Sequence, residues 1–199
     1  MRQKLIAIFA ACIGCPILSP SAPILTNGSF ESPVVAANTF QRIAPTSWTS
    51  STSFVFNGNA GSPWPSSAQD GQQFLDIGFG ASQTFTIAVG GNYELTWFDN
   101  TASSGISSPY IVTITNSVSQ TFASANLDAY HSGVWHSNSL PVNLPSGDYT
   151  LSYTRNNSSL DTMIDNVQLG QLPEPSTVLF TTVGGLSLAF CRIRKRESA

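Results

Sequence analysis

"NYELTWFD" (residues 92–99) and "GDYTLSYTR" (residues 147–155) are the stretches whose reading decides the fold. In the first, Tyr93, Leu95 and Trp97 alternate with Glu94, Thr96 and Phe98; in the second, Tyr149, Leu151 and Tyr153 alternate with Thr150, Ser152 and Thr154. An extended strand turns successive side chains to opposite sides, so this period of two puts one set against a core and the other on a second face. No helical period of useful length competes with it between Ile24 and Gln171.

Outward from these two, "QQFLDIG" (72–78), "QTFTIAV" (83–89), "SPYIVTIT" (108–115) and "TMIDNVQLG" (162–170) repeat the pattern. Gly, Pro, Asn and Asp gather between the runs, in "VGGN" (89–92), "LPSGD" (144–148) and "NNSSLD" (156–161), where the chain must reverse. Short alternating runs separated by turns predict an all-β fold, a sandwich of two sheets with roughly eight or more strands. No internal repeat is visible.

Charge divides the chain into three parts. Of eight Lys and Arg, only Arg42 and Arg155 lie between residues 22 and 171, against nine carboxylates, a formal −7. No basic patch is available to gather phosphates, which argues against nucleic acid as a partner. The three cysteines, Cys12, Cys15 and Cys191, all sit in the terminal segments, so the central region has no disulfide framework and no thiolate metal site.

Residues 1–21 read as a signal peptide: Arg2 and Lys4 open it, "LIAIFAACI" (5–13) is its apolar stretch, and Ser19 and Ser21 take the small-residue positions before a cut at Ala22. Lipid attachment at Cys15 is the weaker alternative, because Cys12 stands where such signals carry Leu. At the other end, Ser176 to Cys191 is an apolar run that would extend about 24 Å as a helix. It is followed by Arg192, Arg194, Lys195 and Arg196, and positive residues beside an apolar segment stay cytoplasmic, which turns the central region outward. The alternative, a buried C-terminal helix, is disfavoured by Gly184-Gly185 and by the lack of an amphipathic pattern.

Pro173-Glu174-Pro175, the apolar run and the basic cluster together resemble a PEP-CTERM sorting signal over residues 172–199. The resemblance implies an exosortase as partner, transient anchoring in the inner membrane as a transmembrane helix, removal of the tail, and an association with exopolysaccharide. Such a segment is an address, separate from the folded domain expected over residues 22–171.

A second resemblance lies in that domain. "LTNGSFESP" (25–33), "AQDGQQFLDIG" (68–78) and "TMIDNVQL" (162–169) are similar, in order and spacing, to the galactose-binding-like jelly roll of many carbohydrate-binding modules. It implies a structural calcium held by Glu31 and Asp165, with Asp70 or the adjacent backbone as a lesser ligand. The alternative leaves Glu31 exposed and Asp165 bonded to backbone amides.

Sugar recognition uses aromatic faces beside hydrogen-bonding side chains. Trp64 is one candidate, because "GNAGSPWPSSAQDG" (58–71) places a large indole between prolines in a polar loop; the structural alternative is that it folds back to cover the sandwich. Trp135, in "YHSGVWHSN" (130–138), is the second candidate, whereas Trp48 and Trp97 lie in strand-like runs and read as core. His131 and His136 flank Trp135 at a five-residue separation that disfavours a shared metal on an extended strand.

No G-x-S-x-G elbow exists and no His–Asp pair is placed to activate a serine. Asp70, Asp76, Glu94 and Asp99 would have to meet in space to cleave a glycoside, and sequence does not bring them together. The reading that emerges is an exported, non-catalytic, polysaccharide-binding sandwich. A structural or adhesive matrix protein without a sugar site and a glycoside-active enzyme stand as its alternatives.

Overall fold

The computed structural model describes residues 23–173, apart from 51, 62–63, 102–106, 131–133 and 157–160. Within them the alternation becomes β1 (Thr39–Gln41), β2 (Phe54–Asn57), β3 (Gln73–Asp76), β4 (Gly80–Ile87), β5 (Gly91–Thr101), β6 (Ser107–Asn116), β7 (Thr121–Tyr130), β8 (His136–Leu144), β9 (Gly147–Arg155) and β10 (Thr162–Gln171). Two antiparallel sheets result, one of six strands in the order β1-β2-β3-β10-β5-β8 and one of four in the order β4-β9-β6-β7.

From β3 onward successive strands change sheet, except across the β6–β7 hairpin, and this winding is that of a jelly roll with β1 and β2 added at one edge. The six runs read as strands all lie in the two sheets; β1, β2, β7 and β8 come in addition. The signal peptide, the apolar run and the basic cluster lie outside the described residues. Among the described residues no helix is long and apolar enough to cross a membrane.

The alternation does what the sequence requires of it. Tyr93, Leu95 and Trp97 of β5 and Tyr149, Leu151 and Tyr153 of β9 all face the space between the sheets, together with Val55, Leu75, Ile164, Val112 and Ile114. Each fully buried aliphatic side chain contributes about 1.5–3 kcal/mol. Within this layer the Trp97 Nε1–H donates to the Tyr110 hydroxyl at 2.8 Å, and that hydroxyl donates to Asp99 Oδ2 at 2.6 Å. Burial raises the Asp99 carboxyl above its usual range, opposed by the hydrogen bonds from Tyr110 and Asn138 and by His136.

The segment before β2 has little strand, yet it delivers Leu25, Phe30, Val35 and Trp48 to the core. Trp48 is core as expected, but it does not sit in a strand. It follows a turn at Thr46–Ser47, and its Nε1–H is shared between the Thr26 and Asn27 carbonyls, both at 3.2 Å. Thr49 then bridges to Ser82 on the free side of β4.

Candidate functional site

The six-stranded sheet has a second apolar layer on the face turned away from the core. In β2, β3 and β10, Val55, Leu75 and Ile164 point inward, so Phe56, Phe74 and Met163 point outward, where they are nonetheless almost fully buried. Ala60, Trp64 and Ala68 of the β2–β3 connection pack over them. Phe56 and Phe74 stack at 5.2 Å and 6°.

Trp64 packs on Phe56 at 4.9 Å, and Trp135 meets Phe74 edge-on at 5.5 Å. The two candidate tryptophans, 71 positions apart in the chain, are thus brought onto one pair of phenylalanines. The Trp135 indole N–H donates to the Ser67 carbonyl at 2.9 Å, tying the start of β8 to the loop. Phe40 on β1 stacks on the other side of Phe56 at 5.1 Å and is 47% exposed. An aromatic ledge therefore runs Phe40, Phe56, Phe74, Trp135, with Trp64 over its middle.

Beside Trp135 the same outward face continues across β10, β5 and β8 as a polar strip. Thr96 is paired with Ser139 on one side and Gln168 on the other, Phe98 is opposite Ser137, and Glu94 follows two residues away. These side chains are half-buried or exposed. Ser137 lies two residues from Trp135 and the others further along, and hydroxyl, amide and carboxylate groups on a face that also carries indoles are the chemistry that recognises a sugar ring and its hydroxyls. Phe40, Thr96, Gln168, Ser137 and Ser139 are not among the candidates read from the sequence. The signal for Thr96 is its outward parity in "NYELTWFD", but parity alone does not say which outward face is used.

Glu31 and Asp165 approach the turn that holds Asp70, and both grip its backbone. Asp165 Oδ2 accepts the amides of Gln69 and Asp70 at 2.7 and 2.9 Å, and its Oδ1 accepts the Asn166 amide at 2.7 Å. Glu31 Oε1 accepts the amides of Gln72 and Gln73, each at 2.7 Å. Gly71 sits between them at φ 69°, and a Cβ there would lie 2.4 Å from Glu31 Oε1, so the turn needs glycine. Burial pushes Asp165 up to about 7, against the downward pull of these amides.

Calcium needs several oxygen donors aimed at one point. Here Glu31 Oε1 and both Asp165 carboxylate oxygens accept backbone N–H groups, which takes up lone pairs that a cation would use. Among the described residues no group of three or more His, Cys, Asp or Glu is placed to hold a metal. His131 lies outside the described residues. His136 stacks on Tyr130 at 6.5 Å, with its Nδ1 3.9 Å from Asp99 Oδ1.

The four carboxylates weighed for glycoside cleavage are dispersed. Glu94 is on the outward face of β5, Asp99 is on its inward face bound to Tyr110, and Asp70 is in the Gly71 turn. Asp76 shares Arg155 with Asp161, at 3.6 and 2.8 Å from the guanidinium nitrogen. Burial, then Asp161, raises Asp76 to about 7.

The two-sheet order and the outward aromatic face allow comparison with known structures. The fold is similar to that of a carbohydrate-binding module. A family 61 carbohydrate-binding module, TmCBM61, solved in complex with β-1,4-galactotriose, superposes with a TM-score of 0.52 at 14% identity, over 76% of this chain and 100% of that one. A CBM4 structure gives 0.47 at 12% identity over 74% and 99% of the two chains. The CBM22-1 xylan-binding domain of Paenibacillus barcinonensis Xyn10C gives 0.47 at 12% over 69% and 97%. At these identities the likeness is one of fold. No protein-family model matches the sequence, and neither does any curated protein.

Proposed function

We propose that this is an exported protein whose sandwich binds polysaccharide on its outward aromatic ledge, without catalysis. In this reading the C-terminal segment holds the chain at the inner membrane until an exosortase removes it and the domain passes to the cell surface or matrix. The observation that carries the binding role is the convergence of Trp64 and Trp135 on the Phe56–Phe74 pair, beside the open row Ser139, Thr96, Gln168. The fold likeness to modules that bind oligosaccharides supports it, and the dispersal of the carboxylates supports a non-catalytic role. Delivery rests on the terminal sequences.

A second reading has its own observation. Trp135 spends its N–H on Ser67 and its ring on Phe74, so both indoles would serve only to close the loop over the sheet, as in a structural or adhesive matrix domain. A glycan array of neutral and acidic polysaccharides, probed with the wild type, Trp64→Ala and Trp135→Ala, separates the two. Binding weakened at least about tenfold in the variants, the ~1.4 kcal/mol of one good aromatic contact, is the expected result. A silent array with both variants melting well below the wild type would leave the indoles a covering role alone.

A further inference from the structure

Sheet edges carry unpaired backbone N–H and C=O groups, and proteins that stay single shield them. Three of the four edges here are shielded. β1 has only three residues, β8 is interrupted by Pro141, and β4 is covered where Thr49 and Ser82 exchange backbone hydrogen bonds at 2.8 and 3.0 Å and Ser50 Oγ–H donates to the Gly80 carbonyl. The fourth edge, β7, is different. "TFASANLDAY" (121–130) has ten residues, no Pro, Gly or Lys, and Asp128 as its single charge, and among the described residues it pairs only with β6.

Its side chains are also self-matching. Pairing with β6 fixes Ala123, Ala125, Leu127 and Ala129 toward the core side, opposite Ile114, Val112, Tyr110 and Ser108, and leaves Ser124, Asn126 and Asp128 exposed on the other face. Directly opposed residues in antiparallel strands share a face, so a two-fold axis on the strand can pass only through a residue and its own copy. An axis at Asp128 would set two carboxylates against each other. One at Asn126 sets Asn126 against its counterpart, Ser124 against Asp128 twice over, Ala125 against Leu127 and Ala123 against Ala129. Every pair is then polar with polar or apolar with apolar and no like charges are opposed, with Asp128 also accepting from Ser107 Oγ at 2.6 Å within its own chain.

We propose that β7 is a docking edge for a second copy of this chain, which pairs antiparallel about Asn126 and extends the four-stranded sheet to eight strands in a two-fold dimer. The contact is mainly one strand against another and buries less than the ~1,200 Å² of a standard interface, so the dimer forms and dissociates with concentration. Association would also set two aromatic ledges on one particle, raising avidity for a repeating polymer without any new sugar contact.

Sedimentation of the full chain in detergent, from sub-micromolar to high micromolar, tests this without reference to any sugar. The wild type is expected to shift from monomer to dimer, and Asn126→Lys, which sets two ammonium groups on the axis, to remain monomeric with an unchanged melting temperature. With Cys12, Cys15 and Cys191 replaced by Ser, Asn126→Cys is expected to form a disulfide-linked dimer on oxidation and Thr121→Cys, remote from the axis, to form none. A wild type that is monomeric throughout, an Asn126→Lys variant that dimerises equally, or equal cross-linking at both positions would overturn the proposal; a monomer would leave the edge to a different protein's strand.

Discussion

Asp165 and Asp76 are the residues at which burial wins most clearly over the ordinary behaviour of a carboxyl. Both are held at about 7 in the folded chain, against 3.8 when exposed. A carboxyl whose folded value is raised holds a proton that the unfolded chain gives up, so its contribution is full below about pH 4 and is lost as pH rises through about 7. Stability against denaturant should therefore fall across that window, by roughly 1.4 kcal/mol per pH unit for each carboxyl. Asp165→Asn keeps an acceptor for the Gln69 and Asp70 amides but cannot ionise. Its unfolding free energy should fall less steeply than the wild type's, with Asp76 and Asp99 still contributing; an equal slope would show that Asp165 is ionised in the fold throughout.

At the scale of single elements, the β2–β3 connection is the feature the sequence shows least and the site needs most. Its turn at Gly71 is clamped from two sides by Glu31 and Asp165, which come from opposite ends of the chain. Glu31→Ala leaves the Gln72 and Gln73 amides without their acceptor, at a cost of about 1–3 kcal/mol. Amide hydrogen exchange should accelerate at those two positions, and EDTA should leave wild-type exchange there unchanged. Acceleration by EDTA would restore a calcium ion to the turn.

The strands were legible wherever large apolar residues alternated with polar ones. Tyr93, Leu95 and Trp97 announce β5, and Tyr149, Leu151 and Tyr153 announce β9, because the contrast between the faces is strong. β7 offers mainly alanines toward the core and β8 contains Pro141, so neither shows that contrast although both are paired over most of their length. β1 and β2 are too short for a period to emerge. The convergence of Trp64 and Trp135 was hidden for another reason. Phe56 and Phe74, which join them, look like core residues and are buried like core residues, but on the face away from the main core. Parity within a strand says that two faces exist; only the covering loop makes the second one apolar.

For the molecule as a whole, the two sheets enclose the main apolar core, while the aromatic ledge lies on the outward face of the six-stranded sheet. The dimer edge belongs to the four-stranded sheet and the ledge to the six-stranded one, so pairing through β7 and sugar contact do not compete for the same strands.

The most direct measurement of the binding claim is acrylamide quenching of tryptophan fluorescence in the full chain, with and without the soluble polysaccharides of the array. Trp48 and Trp97 are 5% and 1% exposed, so quenching reports chiefly on the half-buried Trp64 and Trp135. The account predicts that polysaccharide protects the wild type from quencher and that this protection is lost in Trp135→Ala. Polysaccharide that co-sediments with the wild type while quenching stays the same, or none that binds at all, would contradict it.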